Sequence, residues 1–181
     1  VSAMRPWICA AAAALTMAAC LLAVACRGQA QAEPAGSAPA PEFVGIDRWI
    51  NSPPLTLAGL RGKVVLVEFW TYACINCIHV TPHVNEWHRR YRDRGLVVVG
   101  VHTPEYEEER RPANVQAAVK RYAIEYPVAL DNDYRTWNAY RNRFWPALYL
   151  IDRQGRVVYR HIGEGGYEAT DARIRELLAR D

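Results

Sequence analysis

Val64-Val65-Leu66-Val67-Glu68-Phe69-Trp70 is a continuous apolar, β-branched run of the kind that forms a strand buried on both faces. It predicts a central parallel strand. After it, Ile75, Ile78, Val84, Trp87 and Tyr91 recur at helical spacing through about Arg94, which predicts an amphipathic helix. A buried strand running straight into a helix leaves little choice beyond a sheet covered by helices. Between the two stands Thr71-Tyr72-Ala73-Cys74-Ile75-Asn76-Cys77.

The two cysteines therefore fall at a strand-to-helix junction, where unpaired N–H groups and the positive end of the helix dipole stabilise a thiolate. Dithiols of this spacing have first-cysteine pKa values from about 3.5 to 7. Cys74, the outer of the pair, is the expected nucleophile, and Cys77, one turn further in, the expected resolver of a mixed disulfide. Cys9, Cys20 and Cys26 all lie near the start of the chain, so Cys74 and Cys77 alone remain for the domain. A purely structural bridge is the competing reading in an exported protein. It would close only two intervening residues and constrain the unfolded chain very little.

Glu68 interrupts the apolar strand. A carboxyl group there costs several kcal/mol unless protonated or hydrogen-bonded. Alternation sets it on the same strand face as Trp70, where a protonatable group beneath the helix can take the proton of Cys77. The alternative is a strand-edge glutamate that reaches solvent.

The chain has a short cationic start around Met4 and Arg5 and then runs uncharged from Pro6 to Cys26, the pattern of an export signal over residues 1–32. Ala30-Gln31-Ala32 favours cleavage before Glu33, Ala23-Val24-Ala25-Cys26 resembles a lipoprotein box with Cys26 as the lipidated residue, and an uncleaved anchor is a third reading. The location expected is extracytoplasmic, in the periplasm or cell envelope, with lipid anchoring if Cys26 is modified. Residues 27–42, dense in Ala, Pro, Gly and Ser, read as a flexible tether, and 43–181 as one domain. Two of the 22 basic residues, Arg5 and Arg27, precede Glu33, which leaves 20 against all 19 acidic ones from Glu33 to Asp181. That balance argues against nucleic acid as a partner. The cluster Arg89-Arg90-Tyr91-Arg92-Asp93-Arg94 fits a helix C-terminus, where cations oppose the negative end of the dipole.

Further along, Leu96–Val101 reads as a second buried strand that delivers His102. The acidic-then-basic stretch from Glu105 to Arg111 leads through Pro112 into a helix with Val115, Ala118, Val119 and Tyr122 on one face. Tyr126–Leu130 reads as a short strand and Tyr134–Arg141 as a short helix. Ala147–Ile151 and Arg156–His161 form a hairpin around Asp152-Arg153-Gln154-Gly155, and a last helix spans about Ala169 to Arg180. The fold class is α/β, a central mixed sheet flanked by helices with an N-terminal extension.

From Phe43 to Asp181 the chain resembles thioredoxin-fold proteins of the TlpA/ResA-like group, above all the soluble domain of DipZ-type proteins. The resemblance rests on Leu55-Thr56-Leu57, Leu60-Arg61-Gly62-Lys63, Glu68-Phe69-Trp70, Cys74 with Cys77, Val99-Gly100-Val101-His102-Thr103-Pro104-Glu105, Asp131-Asn132-Asp133 and Trp145-Pro146-Ala147. It implies a thiol-disulfide oxidoreductase without cofactor, in which Glu68 is the buried acid, Pro82 a helix kink and Pro146 a cis-proline. Trp70, Trp145 and Pro146 would then contact the client. Two departures bear on the redox potential: Ala73 stands where thioredoxins usually carry Trp, and Ile75-Asn76 matches neither the reducing nor the strongly oxidising pair. DipZ-type proteins also carry a membrane electron-transfer domain, absent from this sequence. The expectation is a monomer that reduces or isomerises disulfides of exported clients, recharged by a separate membrane protein of DsbD/CcdA type.

Several rivals are weaker. A haem site needs histidine where Ile78 stands. On a helix, His79 and His83 point about 140° and 180° away from Cys74, so the four residues cannot share one metal ion. His102, ending the neighbouring strand, is a candidate modulator of the dithiol. The Thr-x-x-Cys of Thr71 and Cys74 suggests a thiol peroxidase of peroxiredoxin type, but Val67 occupies the position of the expected proline. A non-catalytic binding module makes no use of a dithiol and a buried acid. Gly163-Glu164-Gly165-Gly166-Tyr167 is a candidate client contact, with an ordinary glycine-rich turn as the alternative.

Overall fold

The computed structural model describes residues 38–180. The expected export signal, Cys26 and the first part of the expected tether lie outside them. The described chain runs β1 (Arg48–Ile50), β2 (Val64–Trp70), α1 (Ile75–Tyr91), β3 (Leu96–His102), α2 (Pro112–Arg121), β4 (Val128–Leu130), α3 (Arg135–Ala139), β5 (Ala147–Ile151), β6 (Val157–Ile162) and α4 (Tyr167–Leu178). The strands form one six-stranded sheet in the order β1-β4-β3-β2-β5-β6.

Every residue of β2 is buried, as its unbroken apolar run requires. Its expected parallel pairing is only half of what forms. β2 lies parallel to β3, with Glu68 opposite Gly100, and antiparallel to β5, with Glu68 opposite Leu148. The second pairing follows from the hairpin β5-β6, which returns beside β2. β1 pairs antiparallel with β4. Its three residues are too few to show a period. The strand expected from Tyr126 begins only at Val128, because Pro127 has no N–H to give and the Tyr126 carbonyl accepts from Asn51 Nδ2 at 3.1 Å.

Alternation along the strands divides the core. Leu66, Trp70, Val98 and Leu148 face α1, α2 and α4, packing on Cys77, Val84, Val115 and Ile174. Val67, Phe69, Val101 and Tyr149 face the other way, against Trp137, Tyr140 and Leu57. Each large aliphatic side chain so buried contributes about 1.5–3 kcal/mol.

Within the stretch read as tether, residues 38–42 are already held. The Val157 N–H donates to the Ala38 carbonyl at 3.2 Å and the Ala40 N–H to Gly155 at 2.9 Å. The Glu42 carboxylate accepts from Leu57 N–H at 2.7 Å. Helix α1 carries Pro82 inside it and His88, Arg89 and Arg90 in its last turn, the cations that oppose its dipole.

Candidate active site

Cys74 is the N-cap of α1, half-buried, in extended conformation. Its side chain caps no backbone N–H, and the first turn holds no acidic residue. The helix amides and the positive dipole end are thus left to the Cys74 sulfur. Cys77 is wholly buried, one turn in, and both cysteines are free thiols. Burial pushes the Cys77 thiol far above its usual range; Cys74 and Glu68 add to this, and the Thr71 backbone opposes it.

Glu68 is also wholly buried, which rules out the strand-edge alternative. Tyr126 donates its hydroxyl to Glu68 Oε2 at 2.8 Å, and Oε1 has no partner among the described residues. Burial raises the Glu68 carboxyl to about 7, and the Tyr126 bond lowers it only in part. Both rings above this face need room: a Cβ at Gly100 would stand 2.9 Å from Trp70 Nε1 and 3.1 Å from Tyr126 Cε2. Gly100 is required by that close approach.

The loop before Cys74 is fixed by a residue that sequence reading passed over. Glu109 is 1% exposed, in a 3-10 turn (Glu107–Arg110). Its Oε1 accepts from the Thr71 hydroxyl and from the Ala73 N–H at 3.0 Å. Its Oε2 accepts from the N–H groups of Glu105 at 2.6 Å and Tyr106 at 3.0 Å. Burial would raise this carboxyl, but the four donors outweigh it and hold the pKa below the usual range.

The Trp145–Pro146 peptide is cis. Pro146 is buried and its carbonyl accepts from Gly163 N–H at 2.8 Å; beside it Phe144 is 60% exposed, and Trp145 is half-buried with its ring packed on Trp137 at 4.3 Å. Ile75, between the cysteines, is likewise 60% exposed. Trp70 does not belong with them. It is 1% exposed, with its ring edge-on to His102 at 5.2 Å, and a buried ring offers a client no surface. Alternation gave the face of β2 correctly but not the depth to which α1 covers it.

His102 is wholly buried, stacked on Tyr72 at 5.6 Å, and neither ring nitrogen has a partner among the described residues. Burial lowers its pKa to about 4, against the pull of Glu109. The other histidines face elsewhere: His79 Nδ1 lies 3.1 Å from Glu164 Oε2, and His83 stacks on Tyr167 at 3.6 Å. Glu164 of the glycine-rich loop and Tyr167, the first residue of α4, thus dock onto α1.

A sheet of this order with a free dithiol at the β2–α1 junction defines the class of thioredoxin-like proteins. The chain belongs to the AhpC/TSA family, whose family model matches residues 37–160, as one of its thioredoxin-like members. It is 51% identical over 154 residues to protein DipZ of Mycobacterium bovis, covering 83% of this chain but only 22% of that relative's length. The thiol-disulfide oxidoreductase YkuV of Bacillus subtilis is 30% identical over 141 residues, covering 78% of this chain and 95% of YkuV. A crystal structure of a thioredoxin-like superfamily protein superposes with a TM-score of 0.74 at 34% identity, over 79% of this chain and 97% of that one.

Proposed function

We propose that this protein reduces or isomerises disulfides of exported proteins outside the cytoplasm. The observation that carries the reading is Glu68, a buried acid with one bare oxygen on the side of the sheet where Cys77 packs. The Cys74 thiolate attacks one sulfur of a client disulfide, forming a mixed disulfide and expelling the client's other sulfur as thiolate. Cys77 then gives its proton to ionised Glu68 and attacks Cys74 Sγ. The second client sulfur leaves, and the protein is left with a Cys74–Cys77 disulfide. With its pKa raised to about 7, Glu68 is a base matched to neutral pH. A membrane thiol carrier of DsbD/CcdA type would return the two electrons.

Ile75, Phe144 and Trp145 frame the apolar ground on which a client chain would lie. The extracytoplasmic site of action rests on the leader, with Cys26 as the residue that lipid would tether. The peroxidase alternative leans on Thr71, whose single hydroxyl hydrogen is given to Glu109 and so is withheld from a peroxide. Insulin-disulfide reduction tests the proposal: the wild type reduces and Cys74→Ser does not. Equal inertness of the two would overturn it. A reduction potential near about −270 mV fits a reductant, and one near about −120 mV contradicts it.

A further inference from the structure

The loop Thr71–Ala73 that delivers Cys74 and the loop Phe144–Pro146 lie far apart in sequence but flank paired strand ends, Phe69 of β2 opposite Ala147 of β5. One short segment touches both. Directly after β3, the Thr103 N–H donates to the Trp70 carbonyl at 3.1 Å, and the Thr103 carbonyl accepts from Trp145 Nε1 at 3.0 Å. Six residues on, Glu109 takes the Thr71 hydroxyl and the Ala73 N–H with one oxygen and closes its own turn with the other. The segment is anchored from behind as well. The Tyr134 hydroxyl donates to the Pro104 carbonyl, Arg110 Nη1 donates to the Asn132 carbonyl at 2.6 Å, and Asn132 Nδ2 returns a bond to the Arg110 carbonyl at 3.1 Å.

We propose that Thr103–Arg110 is a bracket setting the Cys74 loop against the Trp145–Pro146 loop, and that Glu109 is its positioning residue. Four donors converge on the two oxygens of one side chain, two from the Cys74 loop and two from the turn that carries Glu109. Only a carboxylate answers all four, because an amide in its place turns an NH2 group toward one of the donor pairs. Glu109 does not take part in the exchange itself. It fixes the line along which a client sulfur, held against the proline loop, meets Cys74, and in that sense the inference rests on the disulfide-exchange reading. Small misplacements of a reacting atom are enough to cost 10²-fold in rate.

The test compares wild type, Glu109→Gln and Thr71→Val, the last removing only one of the four donors. Insulin-disulfide reduction is expected to lose about tenfold or more in kcat with KM little changed in Glu109→Gln, and less in Thr71→Val. Alkylation of Cys74 by iodoacetamide, which needs no alignment with the proline loop, stays at or above the wild-type rate. An unchanged kcat in folded Glu109→Gln overturns the proposal, as does an alkylation rate that falls in step with kcat. Hydrogen exchange decides the bracket without any client. Glu109→Gln should speed exchange at the Ala73 N–H and also at the Trp145 indole N–H, which Glu109 does not touch. Loss of protection at Ala73 alone would overturn it. If the wild type reduces no disulfide, the functional reading fails while the exchange measurement still judges the bracket.

Discussion

Glu68 and Glu109 are both withdrawn from water, one in β2 and one in the turn before α2, and they are driven in opposite directions. Glu68 meets apolar side chains and one tyrosine hydroxyl, and its pKa rises to about 7. Glu109 meets four donors and stays below the ordinary carboxylate range. The residue type is the same and neither side chain is exposed, but Glu68 lies deeper in the core; that depth and the supply of donors together decide which charge state is held. A carboxyl short of donors can exchange a proton near neutral pH. One saturated with donors is a fixed anion, suited to holding backbone in place.

The largest break in this contrast should come from Glu68→Gln. At pH 8 it is expected to slow release of the mixed disulfide by roughly 10²–10⁴, the usual worth of a general base. Mass spectrometry would show the client accumulating on Cys74. Next, Glu109→Gln should lower unfolding free energy in urea by about 2–4 kcal/mol, since buried donors lose a charged acceptor. Glu68→Gln should cost nothing of that kind above pH 7.

The pH dependence of stability sharpens the comparison further. Glu68 is raised from 4.5 to about 7, so its contribution is full below 4.5 and is lost as pH rises through 7. His102 is lowered from 6.5 to about 4, so its contribution is full above 6.5 and is lost as pH falls through 4. Each amounts to about 3 kcal/mol, and over most of the window they cancel. Glu68→Gln should therefore lose stability on acidification from pH 6.5 to 4, whereas His102→Phe should gain it from pH 7 to 4.5. Parallel urea-derived profiles would show that the two groups do not titrate as described. The smallest effect is expected from Tyr126→Phe, which removes the one donor of Glu68 and should move its titration upward by about 1 kcal/mol of proton affinity. Carboxyl NMR would follow that shift.

These contrasts also mark what the sequence could reveal. β2, α1 and the β5-β6 hairpin are written in local periods and turn residues, and the dithiol and Glu68 are placed by spacing along those elements. Glu109 gives no such signal. It ends an acidic run that reads as a solvated surface, and its partners Thr71 and Ala73 lie 38 and 36 residues away. Tyr126 is likewise joined to Glu68 across 58 residues. Trp70 shows the same gap from the other side: its face was legible, and the cover that removes it from the client was not. β1 and residues 38–42 are held by pairing with distant strands, which no local pattern announces.

The central claim is that Cys74 attacks and Cys77 resolves. Cys77→Ser, mixed with insulin, tests it most directly by mass spectrometry. The account predicts a stable adduct joined through Cys74 and none with Cys74→Ser. An adduct formed by Cys74→Ser through Cys77, or no adduct with either variant, would contradict it.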